Sequence, residues 1–115
     1  MFKFEQLEVW KLALGAYRRV TAATHQLRGR DHSFLVDQIK RAALSISSNI
    51  AEGTGRSHPG ESKHFFNIAK GSTYEVVSIA YILQQEDLIR AADLSEIYQE
   101  CDEVAKMLSG LIARQ

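Results

Sequence analysis

Apolar residues recur at steps of three and four along four separate stretches of the chain, which is the spacing of amphipathic α-helices. The fourth stretch has the most regular pattern, formed by Leu94, Ile97, Cys101, Val104, Leu108 and Leu111. The second runs over residues 34–53, and its apolar positions are Leu35, Ile39, Ala42, Ala43, Ile46 and Ile50. In the third, the predicted core positions are Phe65, Ile68, Ser72, Val76, Ile79 and Leu83.

The first stretch carries two adjacent apolar stripes, which together form one broad face. One comprises Leu7, Trp10, Leu14, Tyr17 and Thr24, and the other comprises Ala13, Ala16, Val20, Ala23 and Leu27. Breaks follow at Gly29 and at residues 53–55, Pro59 suits a first helical turn, and Asp93 is predicted to cap the fourth helix. These patterns predict an all-α protein, an antiparallel up-down-up-down four-helix bundle with a single domain over residues 1–115.

Two helices carry more apolar residues than one bundle core needs. The extra stripes are Tyr98, Ala105 and Ile112 in the fourth helix, and Tyr74, Tyr81 and Leu88 along and just beyond the third. Surplus apolar residues of this kind indicate burial between subunits, so the protein is predicted to form a homo-oligomer. The alternative is that one apolar face per helix is simply wide.

Charge is balanced overall but not along the chain. The 115 residues include 14 Lys and Arg against 14 Asp and Glu. Residues 1–56 hold nine basic and five acidic side chains, a net of +4, and residues 57–115 hold the reverse, a net of −4. This neutrality argues against a protein that coats nucleic acid through bulk charge, but it leaves room for a local basic patch.

The first residues show no basic region followed by an apolar run, and no stretch reaches the length of a membrane span. We therefore expect a cytoplasmic protein without membrane contact. The single cysteine, Cys101, excludes an intrachain disulfide, and its place in an apolar pattern predicts a small buried side chain.

Motifs for catalysis, cofactors and metals are missing from the sequence. The four histidines have no metal-ligand spacing, and the glycines between residues 55 and 60 resemble a phosphate-binding loop in which Glu61 replaces the required lysine. We therefore predict no catalytic residues, no cofactor, no metal and no enzyme activity. An enzyme using Arg41, Glu52 and neighbouring polar groups is the least favoured alternative.

One polar stripe of the second helix is unusual because its members are mostly short. Arg41, Ser45, Ser48 and Glu52 follow one another at helical spacing, with Gln38 and Asn49 beside them. Short polar side chains suit close helix approach or a hydrogen-bonded network at an interface. Since neither serine has a histidine within one turn, we interpret the stripe as a structural or interface network rather than a catalytic site.

These residues also carry a family resemblance over nearly the whole chain. The motifs are Phe4-x-x-Leu7-x-Val9-Trp10, Gln38-Ile39-Lys40-Arg41-Ala42-x-x-Ser45-Ile46-x-x-Asn49-Ile50-Ala51-Glu52-Gly53 and Phe65-x-x-x-Ala69-x-Gly71-Ser72-x-x-Glu75. The chain resembles the bacterial four-helix-bundle family whose founding members are encoded in intervening sequences of large-subunit ribosomal RNA genes. The family's polar residues map onto Arg41, Ser45, Asn49, Glu52, Ser72 and Glu75.

The resemblance implies a homopentamer with a central channel. Our leading hypothesis for the function is a non-enzymatic, self-assembling bundle that acts as an interaction module or scaffold. The resemblance also implies a relative, the accessory protein of diversity-generating retroelements, which works with a reverse transcriptase and binds nucleic acid. By that route the partners would include RNA or DNA and a reverse transcriptase.

Two departures weaken the nucleic-acid expectation. The balanced charge differs from the strongly basic retroelement relative, and the first connection lacks the family's aromatic-Pro pair. The local basic residues remain as candidate contacts, which are Arg18, Arg19, Arg28, Arg30 and Lys40. Repeated around an oligomer, they would gain from avidity. Nucleic-acid binding through the basic first half is therefore the alternative function.

Overall fold

The computed structural model describes residues 1–27 and 32–115, and these residues form four α-helices and no strand. The helices are α1 (Glu8–Thr24), α2 (Ser33–Thr54), α3 (Pro59–Gln85) and α4 (Ala91–Ala113), with short 3₁₀ turns over Lys3–Gln6 and His25–Leu27. The predicted all-α four-helix bundle is thus confirmed. The predicted helix end at Gly29 lies outside the described residues.

The helices pack in the order α1, α2, α3, α4 around a square cross-section, within an envelope of 44 × 22 × 22 Å. Neighbouring helices run antiparallel: Arg19 of α1 pairs with Glu96 of α4, and Gln38 and Ser45 of α2 bond to Glu75 and Ser72 of α3. None of the described helices combines the length and the apolar composition that a membrane crossing requires.

The core confirms the predicted seam of α4, where Ile97, Cys101, Val104 and Leu108 are buried. In α1 the core side is the small-residue stripe, represented by Ala13, Ala16 and Val20, while Trp10, Leu14 and Tyr17 are half-buried.

The first half of α3 corrects the sequence prediction. Phe66, Ala69 and Thr73 are buried, whereas Ile68 is 39% exposed and Phe65 and Ser72 are half-buried. The core stripe is therefore shifted by one residue over this half and agrees with the prediction from Val76 onward. One contact that goes with this register is that of Phe66 with Gly53 of α2, where the ring packs against a backbone that carries no Cβ.

The end of α3 and the start of α4 are fixed by local hydrogen bonds. Asp87 adopts a left-handed conformation with φ 58°, and the N–H of Leu88 donates to the carbonyl of Leu83 at 2.8 Å, which closes the last turn of α3. Asp93 does not occupy the predicted cap position. It lies in the first turn, where its carboxylate accepts a hydrogen bond from the N–H of Arg90 at 2.9 Å.

Candidate functional site

A polar cluster joins the middle of α2 to the middle of α3. The hydroxyls of Ser45 and Ser72 lie 2.9 Å apart, and the amide of Asn49 donates to both the hydroxyl and the carbonyl of Ser45, at 2.9 and 2.8 Å. All three side chains are half-buried. Because serine side chains are short, the two helices can approach closely while their polar groups stay satisfied.

Two further contacts extend this pairing along the same helices. About two turns before Ser45 on α2, the amide of Gln38 donates to the carboxylate of Glu75 at 2.6 Å. Towards its end, Gly53 is buried against the ring of Phe66, where a Cβ would lie 2.8 Å from Cδ1 and closer still to Cε1. We call the whole contact, from Gln38 to Gly53 on α2, the α2–α3 seam.

The remaining members of the predicted stripe lie elsewhere. Arg41, Ser48 and Glu52 are exposed on the outer side of α2. Glu52 pairs with Arg56 at 3.0 Å, and the Arg56 guanidinium also lies 4.6 Å from the centre of the Phe65 ring. The structure therefore brings together Ser45, Asn49 and Ser72, and separately Gln38 and Glu75, and it places Arg41 and Glu52 outside both groups.

The hydrogen bonds of the cluster describe what it can do chemically. Ser45 is bonded to a hydroxyl and an amide, neither of which can take its proton in the way a general base would. Every buried side-chain nitrogen and oxygen of the described residues has a partner. Within residues 1–27 and 32–115, no three His, Cys, Asp or Glu side chains come together as a metal-binding group. The arrangement is that of a structural hydrogen-bond network.

The candidate nucleic-acid contacts do not form one cluster. Arg18 is exposed, whereas Arg19 points to α4 and pairs with Glu96 at 2.6 Å and with Glu100 at 3.8 Å. Lys40 is half-buried. Arg28 and Arg30 lie outside the described residues. The pairing of Arg19 shows that some of the basic side chains of the first half pair with acidic side chains of the second half within one protomer. We call this contact between Arg19 and α4 the α1–α4 seam.

The tyrosines of α3 and α4 form a surface that sequence reasoning identified only as separate stripes. A groove of about 350 Å³ runs between the two helices and is lined by Tyr74, Val77, Tyr98 and Ala105. The ring of Tyr81 meets that of Tyr98 edge-on, with centroids 6.4 Å apart. The other predicted members of these stripes, Leu88 and Ile112, instead pack against the core. We call this surface the tyrosine groove.

Cys101 lies at the floor of the tyrosine groove and is 1% exposed. Burial raises the pKa of its thiol to about 12, and the nearby charge of Glu100 adds to the effect. A thiol with this pKa is protonated at neutral pH, which makes it a poor nucleophile and a poor metal ligand. The prediction of a small buried side chain is confirmed.

Comparisons with known proteins agree with this fold. The family model described as 23S rRNA-intervening sequence protein matches residues 5–110. Among solved structures, a protein of unknown function from the S23 ribosomal protein family of Bacteroides thetaiotaomicron VPI-5482 is similar, with a TM-score of 0.81 and 20% identity over 90% of this chain and 97% of that chain. At this identity the likeness shows the fold alone. No curated protein matches the chain.

Proposed function

The chain belongs to the 23S rRNA-intervening sequence protein family, and on that basis we propose that it is a non-enzymatic, self-assembling bundle that acts as an interaction module or scaffold. The assembly is a homopentamer, the state that the sequence resemblance implies. The partner of each protomer is in the first place another copy of the same chain.

The observation that carries this proposal is the number of large apolar side chains left on the surface of a small protein. Tyr74 is 63% exposed, Tyr81 and Tyr98 are each 45% exposed, and Ile68 and Ile82 are 39% and 42% exposed. Other exposed apolar side chains, Phe2, Phe34 and Leu44, are single residues outside α3 and α4. Tyr74, Tyr81 and Tyr98 adjoin one another around the tyrosine groove, and grouped apolar surface of this kind is typical of protein interfaces.

Sedimentation equilibrium at several protein concentrations tests the proposal. We expect a mass of five chains at high concentration and dissociation on dilution. A single-chain mass at every concentration would refute self-assembly, and a different multiple would refute the pentamer alone. In the proposed assembly, the network of Ser45, Asn49 and Ser72 holds α2 and α3 in the geometry that the contact between copies needs.

Nucleic-acid binding is the second candidate function, and one observation favours it. Lys11, Arg18 and Arg41 are exposed, Lys40 is half-buried, and none of them forms an ion pair with another described residue. All four belong to α1 and α2, so they are available to a polyanion, and an oligomer would repeat them around its surface. By the same resemblance, a reverse transcriptase would be the protein partner.

Retention of single-stranded RNA measured at rising salt tests this second candidate. We expect affinity to fall steeply with salt, and to fall further when Arg18 and Arg28 or Arg30 are replaced by glutamate. Replacing Arg19 in the same way is the matched control, because its guanidinium is already occupied by Glu96. No retention even at low salt would rule out this function.

A further inference from the structure

Two stripes with opposite character run along the exposed side of α3. The first consists of Glu61, Ile68, Glu75 and Ile82, spaced seven residues apart, on the side of α3 that faces α2. Residues seven apart lie within about 20° of one another around a helix, so these four form a stripe that runs close to the helix axis and turns slowly around it. We call it the acidic stripe.

The second stripe lies on the side of α3 that faces α4. Lys63 and Lys70 are seven residues apart, and so are Tyr74, which lines the tyrosine groove, and Tyr81, whose ring meets that of Tyr98. On the opposite wall, Asp102 is already paired with Lys106 at 3.1 Å. The α4 side of α3 therefore presents exposed tyrosine rings beside the groove and, nearer the start of the helix, the exposed Lys63 and the half-buried Lys70.

The charged side chains of the two stripes have no oppositely charged partner among the described residues of the protomer. Among the described residues, Glu61, Glu75, Lys63 and Lys70 form no ion pair; the carboxylate of Glu75 accepts only the neutral amide of Gln38. One face thus carries two free carboxylates with two exposed isoleucines, and the adjacent face carries two free ammonium groups with exposed tyrosines. The two faces are complementary in charge and both are apolar in part.

We propose that the acidic stripe of one copy docks onto the lysines and tyrosine groove of the next copy. This inference rests on the self-assembly proposed above and assigns its interface. Since the two faces differ, each copy offers both, and the contact is head-to-tail, the type that builds rings rather than twofold dimers.

The angle between the two faces agrees with ring closure. The bundle is equally wide in both short directions, 22 by 22 Å, and the two faces are neighbouring sides that share the α3 edge. Their outward directions therefore differ by about 90°, and the two neighbours of a subunit lie about 90° apart in a ring of four and about 108° apart in a ring of five, so the two faces favour a closed ring of about this size. Opposite sides of the bundle would differ by about 180° and give an open filament.

The heights of the residues also agree when the ring axis runs along the bundles, because rotation about such an axis keeps every residue at its own height. With a rise of about 1.5 Å per residue, Glu61 and Lys63 differ in height by about 3 Å. Ile82 and Tyr81, and likewise Glu75 and Tyr74, differ by about 1.5 Å. Glu61 would thus face Lys63, Ile82 would face the ring of Tyr81, and the Tyr74 hydroxyl would donate to Glu75. Lys70 lies about 3 Å in height from Ile68 and about 7.5 Å from Glu75, so its long side chain contributes to the field around Glu75 rather than to a direct pair.

Charge reversal with rescue tests the assignment on the full-length chain. One variant carries Glu61→Lys and Glu75→Lys, a second carries Lys63→Glu and Lys70→Glu, and a third carries all four changes. Each double variant opposes like charges and is expected to raise the dissociation constant of the assembly about tenfold or more. The fourfold variant restores opposite charges and is expected to return the constant to within about threefold of the original.

The outcomes separate this inference from the proposal on which it rests. A wild-type chain that is monomeric at every concentration overturns both. A wild-type assembly that the double variants leave unchanged, or that the fourfold variant fails to restore, overturns the interface and leaves self-assembly standing. Far-UV circular dichroism of each variant confirms that the helices are intact, so that loss of assembly is not loss of fold.

Replacement of an apolar residue in the acidic stripe provides an independent test. Ile68→Arg places a charge in the middle of the acidic stripe and is expected to weaken assembly at least tenfold. The matched control is Leu44→Arg, which changes an even more exposed apolar residue on α2, away from both stripes. Equal effects of the two variants, or an effect of Leu44→Arg alone, would overturn the assignment.

Discussion

The α2–α3 and α1–α4 seams are both antiparallel helix contacts with polar side chains across them, but they are built differently. At the α2–α3 seam, Ser45 and Ser72 meet through short, half-buried hydroxyls. At the α1–α4 seam, Arg19 and Glu96 meet through long side chains that are each 47% exposed. Solvent screens an exposed ion pair and leaves it a small net value, whereas a shielded hydrogen bond is costly to break.

The glycines of the two seams show the same contrast. A Cβ on Gly53 would overlap the ring of Phe66, which is a rigid side chain packed in the core and 2% exposed. A Cβ on Gly15 would lie 2.6 Å from Oε1 of Glu100, the far end of a flexible side chain. The α2–α3 seam therefore needs a glycine at position 53 so that Phe66 can pack against the backbone, whereas the α1–α4 seam can accept a side chain at position 15.

Gly53→Ala is expected to have the largest effect. The added methyl group overpacks the contact with Phe66, so the free energy of unfolding should fall by about 2–3 kcal/mol. Urea denaturation at one fixed protein concentration measures this change. Gly15→Ala is the matched control and should be neutral or slightly stabilising, because alanine favours the helix and Glu100 can turn away. Equal losses in both variants would show that the seams do not differ in this way.

Ser45→Ala should come next, with a loss of about 1–2 kcal/mol, because it leaves the Ser72 hydroxyl without its partner and removes one of the two acceptors of the Asn49 amide. The double variant Ser45→Ala/Ser72→Ala should cost less than the sum of the two single changes. Urea denaturation of the four proteins gives the coupling energy. Strict additivity would contradict a direct bond between the hydroxyls.

Cys101 provides a reference for both seams, because it lies in the core that they enclose. Its thiol keeps its proton up to a pKa of about 12 in the folded chain, whereas an unfolded thiol loses it near pH 8.5. Stability is therefore complete below that pH and declines as the pH rises, by about 1 kcal/mol at one unit above it. Thermal unfolding of wild type and Cys101→Ala from pH 7 to 9.5 should show a steeper decline in the wild type; parallel curves would refute this.

The smallest effect is expected at the α1–α4 ion pair. A double-mutant cycle of Arg19→Ala and Glu96→Ala should give a coupling of about 0.5 kcal/mol or less, and the coupling should shrink further in high salt. The coupling at Ser45 and Ser72 should not respond to salt. A larger or salt-independent value at Arg19 would remove the distinction between the two seams.

The sequence predicts most of this fold because apolar periodicity identifies the buried face of a helix wherever that helix has one clear apolar stripe. In α4 the residues from Ile97 to Leu108 leave no competing choice. In α3, two pairs of adjacent residues compete for the core. Phe65 and Phe66 are both aromatic, so periodicity does not choose between them, and in the pair Ile68 and Ala69 the sequence favours the larger Ile68 as the buried residue. The side chain that is buried in the first pair packs against Gly53, which lies on another helix and is not visible to the periodicity of α3.

The polar cluster was predictable in kind but not in its pairs. The short side chains of Ser45 and Asn49 indicate a network, yet only the packing of α2 on α3 selects Ser72 as the partner. Arg41 and Glu52 share the same sequence periodicity and are nevertheless exposed. Likewise, the tyrosines were visible as separate stripes, but the groove between them exists only because α3 and α4 lie side by side.

The position of the α1–α4 seam also has a consequence for the order in which the protein assembles. Arg19 and Glu96 are 77 residues apart, whereas α2, α3 and α4 follow one another through connections of only a few residues. Contacts between distant residues require a longer loop to close and form more slowly. We expect the contacts between helices that follow one another in the chain to form first and the α1–α4 seam to close last. On the return path this seam should also be the first to open, so the amides of α1 and α4 should exchange with solvent at a lower opening energy than those of α2 and α3.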